Sequence, residues 1–432
     1  MRCNRIKTCI FPDLADTTDP SKGDAFIGFQ QLLTGAISRN VHDKLSEMVS
    51  VKDFGARGDN SNDDGNAIQS AFEATNEGGS IIFPPGEYRT SRPLSLRGKI
   101  DLTIIALGRA RIRAIGKELA GKPILDLVGC TRTRVYNLRT HSTPTGNNRP
   151  ACAVAIGRES DDSAPQLGGS MLFEGCIFSG KHSLSTLYQC GSELTTFSQC
   201  SLTNTDPAPA YYDSSKDLYG ITGPGTEHVS NVRRYFYGCR ISAYLGDVGG
   251  TIAHLAGGQQ EVVFKNCYFA FHKGRGRAIV VQDKHGTTRR LYLEDIRLET
   301  GTKTSDQWLN QHDTCLLYID KPNALEELYA YGLYMPAKGT ENPLTLIDVA
   351  RGGITKSDIV ILNKHNATYA IRLQKGAVLE RNRIVVPSAN SILVENGAMA
   401  QQNIVQHFDR VAEGSAFTGT GTIQHNLEHQ PL

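Results

Sequence analysis

Residues 173–298 contain five segments with one internal pattern: FEGCIF (173–178), FSQCSL (197–202), FYGCRI (236–241), FKNCYF (264–269) and LEDIRL (293–298). In each segment an apolar residue is followed three positions later by Cys or Ile, and two positions after that by another apolar residue. Chance rarely gives this pattern five times in order. The segments therefore predict a structure that is built from repeats.

A second type of short apolar strand alternates with these segments and continues beyond them. Its members are STLYQ (185–189), TIAHL (251–255), AIVVQ (278–282), CLLYID (315–320), TLIDV (345–349), AIRLQ (370–374) and SILVE (391–395). The centres of the last six, from His254 to Leu393, are 26, 38, 30, 24 and 21 residues apart. Strand-rich repeats of irregular length favour a β-helix over helical repeats of fixed length. Because crossovers between parallel strands are almost always right-handed, we predict an all-β fold, a right-handed parallel β-helix over residues 95–410.

Stacking explains how such a chain buries a core. Each coil covers its inward residues only with the coils above and below it, at a strand spacing of about 4.8 Å. We therefore expect Cys176, Cys200, Cys239 and Cys267 to form a ladder of small buried residues inside the solenoid. The ten cysteines include no CxxC pair, which weakens metal and disulfide interpretations, and we expect neither a metal nor a cofactor.

Composition argues against several classes of function. The chain has 46 basic and 44 acidic residues, a formal charge of only +2, whereas nucleic-acid binders usually carry a basic excess. No apolar run approaches the roughly 20 residues that span a bilayer. The opening MRCNRIKTCIF lacks the apolar stretch of a secretory signal. We thus expect no nucleic-acid partner, no membrane insertion and no signal peptide.

The N-terminal quarter differs from the repeats. Residues 1–50 are polar and poorly periodic, which predicts an arm that needs a partner to be ordered. In residues 51–94 we predict a helix from Asp64 to Thr75, which Asp63 or Asp64 can cap, with Ile68 and Phe72 on its apolar face. SIIFPPGEYRTS (80–91) then has the pattern of two strands joined by a turn. We expect the helix to cap the solenoid and residues 411–432 to form a C-terminal tail.

One part of the sequence resembles a known group of proteins. The segments that carry the resemblance are DPSKGDAFIGF (19–29), VKDFGARGD (51–59), DDGNAIQSAF (63–72) and GGSIIFPPGEYR (78–89). They are similar to phage tailspikes and capsule depolymerases of the pectate-lyase-like superfamily. The resemblance implies a virion tail protein made in the host cytoplasm, a homotrimer, and attachment through residues 1–50 to the tail or an adaptor protein. It also implies a bacterial surface polysaccharide, capsule or O-antigen, as the ligand.

Long insertions at one repeat position predict where that ligand binds. They occupy residues 203–217, 243–250, 270–277 and 299–313, between the Cys-type strand and the next strand. Equivalent positions on successive coils line one side of a solenoid, so these loops should form a common rim. The candidate substrate-binding residues in the rim are Tyr211, Tyr212, His272, Lys273, Arg275, Arg277, Asp306, Trp308 and Asp313.

The rim also contains candidate catalytic carboxylates. We select Asp247, Glu299 and Asp213, with Asp247 and Glu299 as the best pair. These two lie two coils apart, roughly 9–10 Å, which fits a hydrolase that inverts configuration. Glycines 246, 249 and 250 beside Asp247 would let the backbone approach a ligand closely.

Two alternatives remain open at this point. A lyase would need a base such as His272 or Lys273, with Arg275 or Arg277 neutralising a uronate carboxylate. A receptor-binding fibre without catalysis would use the same solenoid. The sequence favours an endo-acting polysaccharide depolymerase and does not decide between hydrolysis and elimination.

Overall fold

The computed structural model describes residues 12–157, 169–191, 193–214, 232–244, 250–273, 276–284, 287–299, 314–334, 344–362, 367–407 and 415–429. Within these ranges the long ladders of strands are parallel throughout. The antiparallel contacts are the pair Gly28–Phe29 with Arg39–Asn40 and an isolated bridge between Ala120 and Pro150. The predicted parallel β-helix is therefore confirmed.

The strands form three main ladders that run along the solenoid. Ladder A contains Leu94–Ser95, Pro123–Asp126, Cys152–Gly157, Leu187–Cys190, Tyr211–Ser214, Gly250–Leu255, Gly276–Val281, Cys315–Leu325, Leu344–Thr355, Ala367–Leu373, Ile392–Val394 and Phe417–Gly419. Ladder B contains Met48–Ser50, Ser80–Phe83, Thr103–Ala106, Thr133–Tyr136, Met171–Glu174, Leu194–Ser198, Val232–Tyr237, Gln259–Lys265, the first half of Arg290–Glu299, Glu327–Tyr334, Asp358–Val360, Arg383–Val386, Ile404–His407 and Leu427–His429. Ladder C contains Asp59–Asp63, Glu87–Thr90, Arg111–Ala114, Arg139–Ser142, Ile177–Gly180, Ser201–Asn204, Arg240–Tyr244, Tyr268–Lys273 and the end of Arg290–Glu299.

The five repeated segments stack in register, as their common pattern requires. Phe173, Phe197, Phe236 and Phe264 occupy the same inward position of ladder B. Their rings stack with centroid distances of 4.8, 4.9 and 4.8 Å. Because each ring is fully buried, its removal from water contributes about 1.5–3 kcal/mol to folding.

The predicted cysteine ladder is present at the corner between ladders B and C. Cys176, Cys200, Cys239 and Cys267 are buried and not in disulfides. Each thiol lies 3.3–3.5 Å from a backbone carbonyl oxygen of the preceding coil. The thiols thus act as weak donors to carbonyl groups of ladder B strands, in addition to filling space.

The later coils use a different polar ladder. Strands Ala377–Glu380, Met399–Gln401 and Thr422–Gln424 stack on the end of Leu344–Thr355, between ladders A and B. At the corner that follows these strands, Asn382, Asn403 and Asn426 each accept a backbone N–H from the previous coil at 2.9–3.1 Å. Each amide also donates to a backbone carbonyl at 2.9–3.0 Å. These side chains satisfy backbone groups that the turn leaves unpaired.

The capping helix spans Gly65–Ala74 and packs Ile68, Ala71 and Phe72 into the core. Its first N–H, from Gly65, donates to Asp63 Oδ1 at 2.9 Å. The Asp64 carboxylate instead accepts the N–H groups of Arg57 and Gly58. Of the two predicted caps, Asp64 occupies the N-cap position but its side chain binds the preceding loop instead of the helix, and Asp63 accepts the N–H of the first helical residue.

The ladders extend past the predicted domain boundaries at both ends. Met48–Ser50 already pairs with Ser80–Phe83, and Leu427–His429 still pairs with Ile404–His407. The prediction of a separate tail after residue 410 is therefore wrong for residues 415–429, because their strands continue the stack. Within residues 12–47 the structure contains an α-helical segment at 12–15 and a short α-helix, Val41–Leu45.

Candidate functional site

Most of the predicted rim lies at one corner of the solenoid. All four predicted insertions leave ladder C and enter ladder A, after Ser201–Asn204, Arg240–Tyr244, Tyr268–Lys273 and Arg290–Glu299. We call this the C–A corner. Residues 245–249, 274–275 and 300–313 lie outside the described residues, and with them Asp247, Arg275, Asp306, Trp308 and Asp313.

The insertion at residues 203–217 contains a strand that the sequence did not predict. Tyr211–Ser214 belongs to ladder A and pairs with Leu187–Cys190 in register. Tyr211 and Asp213 face the interior, and neither is exposed at all. Tyr212 faces outward, but it is only 6% exposed and stacks on Tyr188 at 6.1 Å. The prediction that these three side chains line an open rim is therefore wrong.

Asp213 is held inside the solenoid by a buried counter-ion. Arg234, from ladder B, donates through Nε to Asp213 Oδ2 at 2.8 Å, and both side chains are essentially inaccessible to solvent. The Tyr211 hydroxyl donates to the same carboxylate oxygen at 2.8 Å. Burial, followed by the nearby carboxylate, raises the pKa of Tyr211. This closed network leaves no approach for a substrate, so its role is structural.

Glu299 is the predicted carboxylate that lies at the C–A corner. It is the last residue of Arg290–Glu299, where it stacks on Ala270 of the previous coil. Leu298 before it is buried, whereas Glu299 is half-buried and faces outward. A strand therefore fixes the backbone that carries this carboxylate, as a catalytic group requires.

A cluster of arginines and tyrosines surrounds the outward side of ladder C near Glu299. The Arg297 guanidinium lies 5.9 Å from the Tyr268 ring centroid and 5.4 Å from that of Tyr334. Arg240, from the neighbouring coil, lies 5.3 Å from Tyr268. Tyr334 is 39% exposed. Rings with a polar edge and fixed guanidinium donors are suited to the faces and hydroxyl groups of sugars.

The basic residues of the rim stand at the same corner. His272 and Lys273 end the strand Tyr268–Lys273, and Arg277 follows the loop at the start of Gly276–Val281. The Arg277 guanidinium lies 3.3 Å from the Tyr318 ring centroid. A cation thus flanks the C–A corner on the ladder A side, opposite the Arg297 cluster on the ladder C side.

The glycines at this corner serve backbone packing. A Cβ atom on Gly276, whose φ is +157°, would lie 2.0 Å from the carbonyl oxygen of Gly250. The two glycines are paired on adjacent coils of ladder A. The sequence suggested that Gly250 lets the backbone approach a ligand closely. In the structure, Gly250 instead allows two neighbouring coils to approach each other closely.

The outer surface of ladder A carries a set of charged side chains that was not predicted from the sequence. Asp320, Asp348 and Glu395 lie there with Arg372. Burial raises the pKa of Asp348, against the opposing effect of its hydrogen bond from Gln374. The sequence does indicate such residues, because TLIDV and SILVE place an acidic residue within or at the end of an otherwise apolar strand.

The described ranges contain no group of three or more His, Cys, Asp or Glu that could hold a metal ion. They also contain no helix with the length and apolar character needed to cross a membrane.

Comparison with known proteins agrees with the fold. Residues 48–114 match the family model described as rhamnogalacturonase A/epimerase, pectate lyase-like. The tail spike protein of Shigella phage Sf6 is 34% identical over 139 residues, which are 30% of this chain and 21% of that protein. Rhamnogalacturonase A of Aspergillus niger is 37% identical over 84 residues, 18% of this chain and 19% of the relative. The matches thus span about a fifth of these relatives.

A solved structure extends the similarity to nearly the whole chain. The tailspike protein of E. coli bacteriophage HK620, in complex with a pentasaccharide, superposes with a TM-score of 0.55 at 12% identity, covering 97% of this chain and 84% of that one. At this identity the superposition establishes the fold. These matches confirm the resemblance stated from residues 19–89, and the chain has a parallel β-helix fold like that of the solved phage tailspike.

Proposed function

We propose that this protein is a phage tailspike that binds a bacterial surface polysaccharide, capsule or O-antigen, and cleaves it within the chain. The observation that carries the proposal is the C–A corner. There Glu299 ends a rigid strand beside the Arg297 cluster, Arg277 flanks the opposite side, and successive coils insert their loops. The pentasaccharide bound to the similar tailspike supports a glycan as the ligand.

Hydrolysis is the reaction that we favour. One carboxyl group protonates the glycosidic oxygen while a carboxylate on the other side takes a proton from the attacking water, and the C–O bond breaks as the new one forms. We propose Glu299 and Asp247 for these two roles. Glu299 ends a strand of ladder C, and Asp247 falls in the sequence between a ladder C strand and a ladder A strand two coils earlier; a separation of two coils, about 9–10 Å, would leave room for the water.

The other rim residues would bind the polymer. His272, Lys273, Arg275 and Arg277 would hold acidic sugar units or hydroxyl groups, and Trp308 would stack on a sugar face. Asp306 and Asp313 would accept hydrogen bonds from hydroxyl groups. Tyr211, Tyr212 and Asp213 have no part in this proposal because they are buried.

Elimination is the second candidate reaction. The match to a pectate lyase-like model and the basic residues at the C–A corner favour it. In this case His272 or Lys273 would remove the proton α to a uronate carboxylate, and Arg275 or Arg277 would neutralise that carboxylate.

We also propose the assembly and location that the tailspike similarity implies. The protein would be a homotrimer on the virion tail, attached through residues 1–50 to the tail or an adaptor. Ladder B supplies a surface for trimer contacts, because Tyr237 and Tyr331 are 38% and 40% exposed on its outer side. Tyrosine is enriched at protein interfaces.

A digestion assay tests the proposed function. Purified protein is incubated with capsule and O-antigen preparations from a panel of strains, and oligosaccharide release is followed by size-exclusion chromatography. Hydrolysis gives new reducing ends without ultraviolet absorbance, whereas elimination gives an unsaturated uronate that absorbs. Binding of a polymer without any shortening would contradict catalysis and leave a receptor-binding fibre.

A further inference from the structure

A lysine and an aspartate from adjacent coils meet in the interior near the corner between ladders A and B. Lys321 lies where the pairing of strand Cys315–Leu325 is irregular, and its side chain is inaccessible to solvent. Its Nζ lies 3.3 Å from Oδ2 of Asp283, whose side chain is 4% exposed. Asp283 belongs to the loop after strand Gly276–Val281, on the preceding coil. The pair therefore connects two coils, and neither member takes part in the proposed catalysis.

The contacts of the Lys321 side chain fit a neutral amine. Nζ donates to the carbonyl oxygen of Thr288 at 2.6 Å and to that of Ala324 at 3.2 Å. A neutral amine has two N–H groups and one lone pair, so these two carbonyl groups use both of its hydrogens. The lone pair is then left for the third neighbour, which is the Asp283 carboxyl group.

The Asp283 carboxyl group is held by a donor at its other oxygen. Oδ1 accepts the backbone N–H of Thr288 at 3.0 Å, whereas Oδ2 has no hydrogen bond of good geometry within the described residues. Thr288 is itself fixed, because its hydroxyl donates to Gln259 Oε1 at 2.8 Å and both side chains are buried. A donor fixed at Oδ1 would stabilise the negative charge that develops there when a nucleophile adds to the carboxyl carbon.

Burial favours the uncharged form of both groups. It lowers the pKa of Lys321 and raises the pKa of Asp283, because each charged form would lose its hydration. The hydrogen bond to Asp283 and the nearby charges, which include Arg351 and Glu326, oppose burial without reversing either direction. Transfer of a proton from Nζ to Oδ2 leaves an uncharged amine beside a protonated carboxyl group. A desolvated lysine amine of this kind is a nucleophile.

We propose that Lys321 and Asp283 condense to an intramolecular isopeptide bond, which links the two coils covalently. The uncharged Nζ adds to Cγ of Asp283, and Oδ2 leaves as water after it takes a proton from the nitrogen. One C–N bond forms and one C–O bond breaks, so the step needs no oxidant or reductant. In the product, Oδ1 still accepts the N–H of Thr288. The amide carries no charge, so the link also removes the cost of keeping two ions away from water.

The link would fasten the part of the solenoid from which the rim loops leave. Positions 283 and 321 are 38 residues apart in the sequence, and the segment between them includes the insertion at 299–313. A covalent link across such a loop restricts the unfolded chain and so stabilises the folded one. The bond does not depend on the proposed function, since it forms within the folded chain whether or not a glycan binds.

Mass spectrometry of the full-length wild-type protein tests the bond. Condensation releases one water, so the denatured protein should be lighter than its sequence mass by the mass of one water molecule. Trypsin does not cleave between Lys321 and Pro322, so digestion should give a branched peptide that joins residues 278–284 to residues 304–338. Fragmentation of this peptide should place the link between Asp283 and Lys321.

Two controls separate this bond from other losses of water. Lys321→Met removes the amine and keeps an unbranched side chain, so this variant should have its full sequence mass. Within the wild-type chain, Lys265 Nζ lies 2.9 Å from Glu294 Oε1, but both side chains are exposed, and the peptides that carry them should stay unlinked.

The wild-type digest decides the proposal even if Lys321→Met does not fold. A wild-type protein at its full sequence mass, without the branched peptide, would overturn the isopeptide bond. A loss of water that persists in Lys321→Met would also overturn it, because a succinimide or another dehydration would then be the source of the loss.

Discussion

At the scale of single residues, burial decides which carboxylates are free to act. Asp213 and Glu299 are both acidic residues near loops, and the sequence gives them similar weight. The structure separates them because Asp213 faces the interior, where Arg234 neutralises it, whereas Glu299 faces outward at the end of a strand. Arg234 is 21 positions from Asp213 in the sequence, so this pairing could not be inferred from the sequence.

The buried pair predicts a large effect of one substitution. Arg234→Ala should lower the free energy of unfolding by about 3–5 kcal/mol, because it leaves the Asp213 carboxylate buried without a counter-ion. Urea unfolding followed by circular dichroism measures the change. Arg383→Ala, which breaks a solvent-exposed pair with Asp358, should cost less than about 1 kcal/mol. Equal losses in the two variants would contradict the assignment of Asp213 to the interior.

Asp348 predicts a dependence of stability on pH. Because burial raises its pKa in the folded protein above the usual value of 3.8, folding favours the protonated form. Its contribution to stability is therefore fully present below the unfolded pKa and is lost as the pH rises through the raised pKa. Asp348→Asn, which cannot ionise, should raise the thermal unfolding midpoint at pH 7 relative to wild type.

The same comparison at low pH supplies the check. The difference between Asp348→Asn and wild type should close near pH 3, where both side chains are neutral. A variant that is less stable than wild type at pH 7 would show that the ion pair with Arg372 outweighs the cost of burial, contrary to the direction of the pKa shift.

At the scale of elements, the repeated pattern made the strands predictable. The alternation of Phe, Cys and a second apolar residue recurs on each coil because these side chains stack on one another, so the cysteine ladder could be inferred from spacing alone. The strand Tyr211–Ser214 was missed because Asp213 breaks the apolar pattern, and only Arg234 makes a carboxylate acceptable there. The asparagine ladder was also missed, although Asn382, Asn403 and Asn426 recur at intervals of 21 and 23 residues.

The asparagine ladder predicts that one amide is important for stability. Asn403→Ala should destabilise the protein by about 2–4 kcal/mol, since it leaves the N–H of Asn382 and the carbonyl of Leu379 without partners in a buried corner. Gln401→Ala, whose side chain is half-buried and contacts Glu380 and Gln424, should change stability by less than about 1 kcal/mol. Chemical unfolding of both variants at the same pH compares them, and equal effects would show that the ladder does not hold the later coils together.

At the scale of the whole molecule, the solenoid explains why function is harder to predict than fold. The coils repeat, so the fold could be predicted from periodicity over most of the chain. The rim does not repeat, because each loop has its own length and composition, and only the corner from which the loops leave follows from the repeat. All four predicted insertions begin at that corner, although 203–217 then continues into the buried strand Tyr211–Ser214, and Glu299 was placed there from the sequence.

The proposed trimer predicts the mass of the protein in solution. It also predicts that a charged substitution in the trimer contact should lower this mass. Light scattering at micromolar concentration should report about three times the chain mass of 47.1 kDa. Tyr331→Glu should lower that mass, because it places a charge on the exposed outer side of ladder B. Tyr334→Glu, on the ladder C side near the rim, should leave the mass unchanged. A monomer in the wild-type protein would contradict the trimer.

The central claim is that carboxylates at the C–A corner cleave a polysaccharide. The most direct measurement is the initial rate of oligosaccharide release by the wild-type protein and by Asp247→Asn and Glu299→Gln, on the polymer that the wild-type protein digests. Each substitution removes a proton-transfer group and little volume, so each rate should fall at least about 100-fold while affinity electrophoresis still shows binding. Near wild-type rates in both variants would contradict the account.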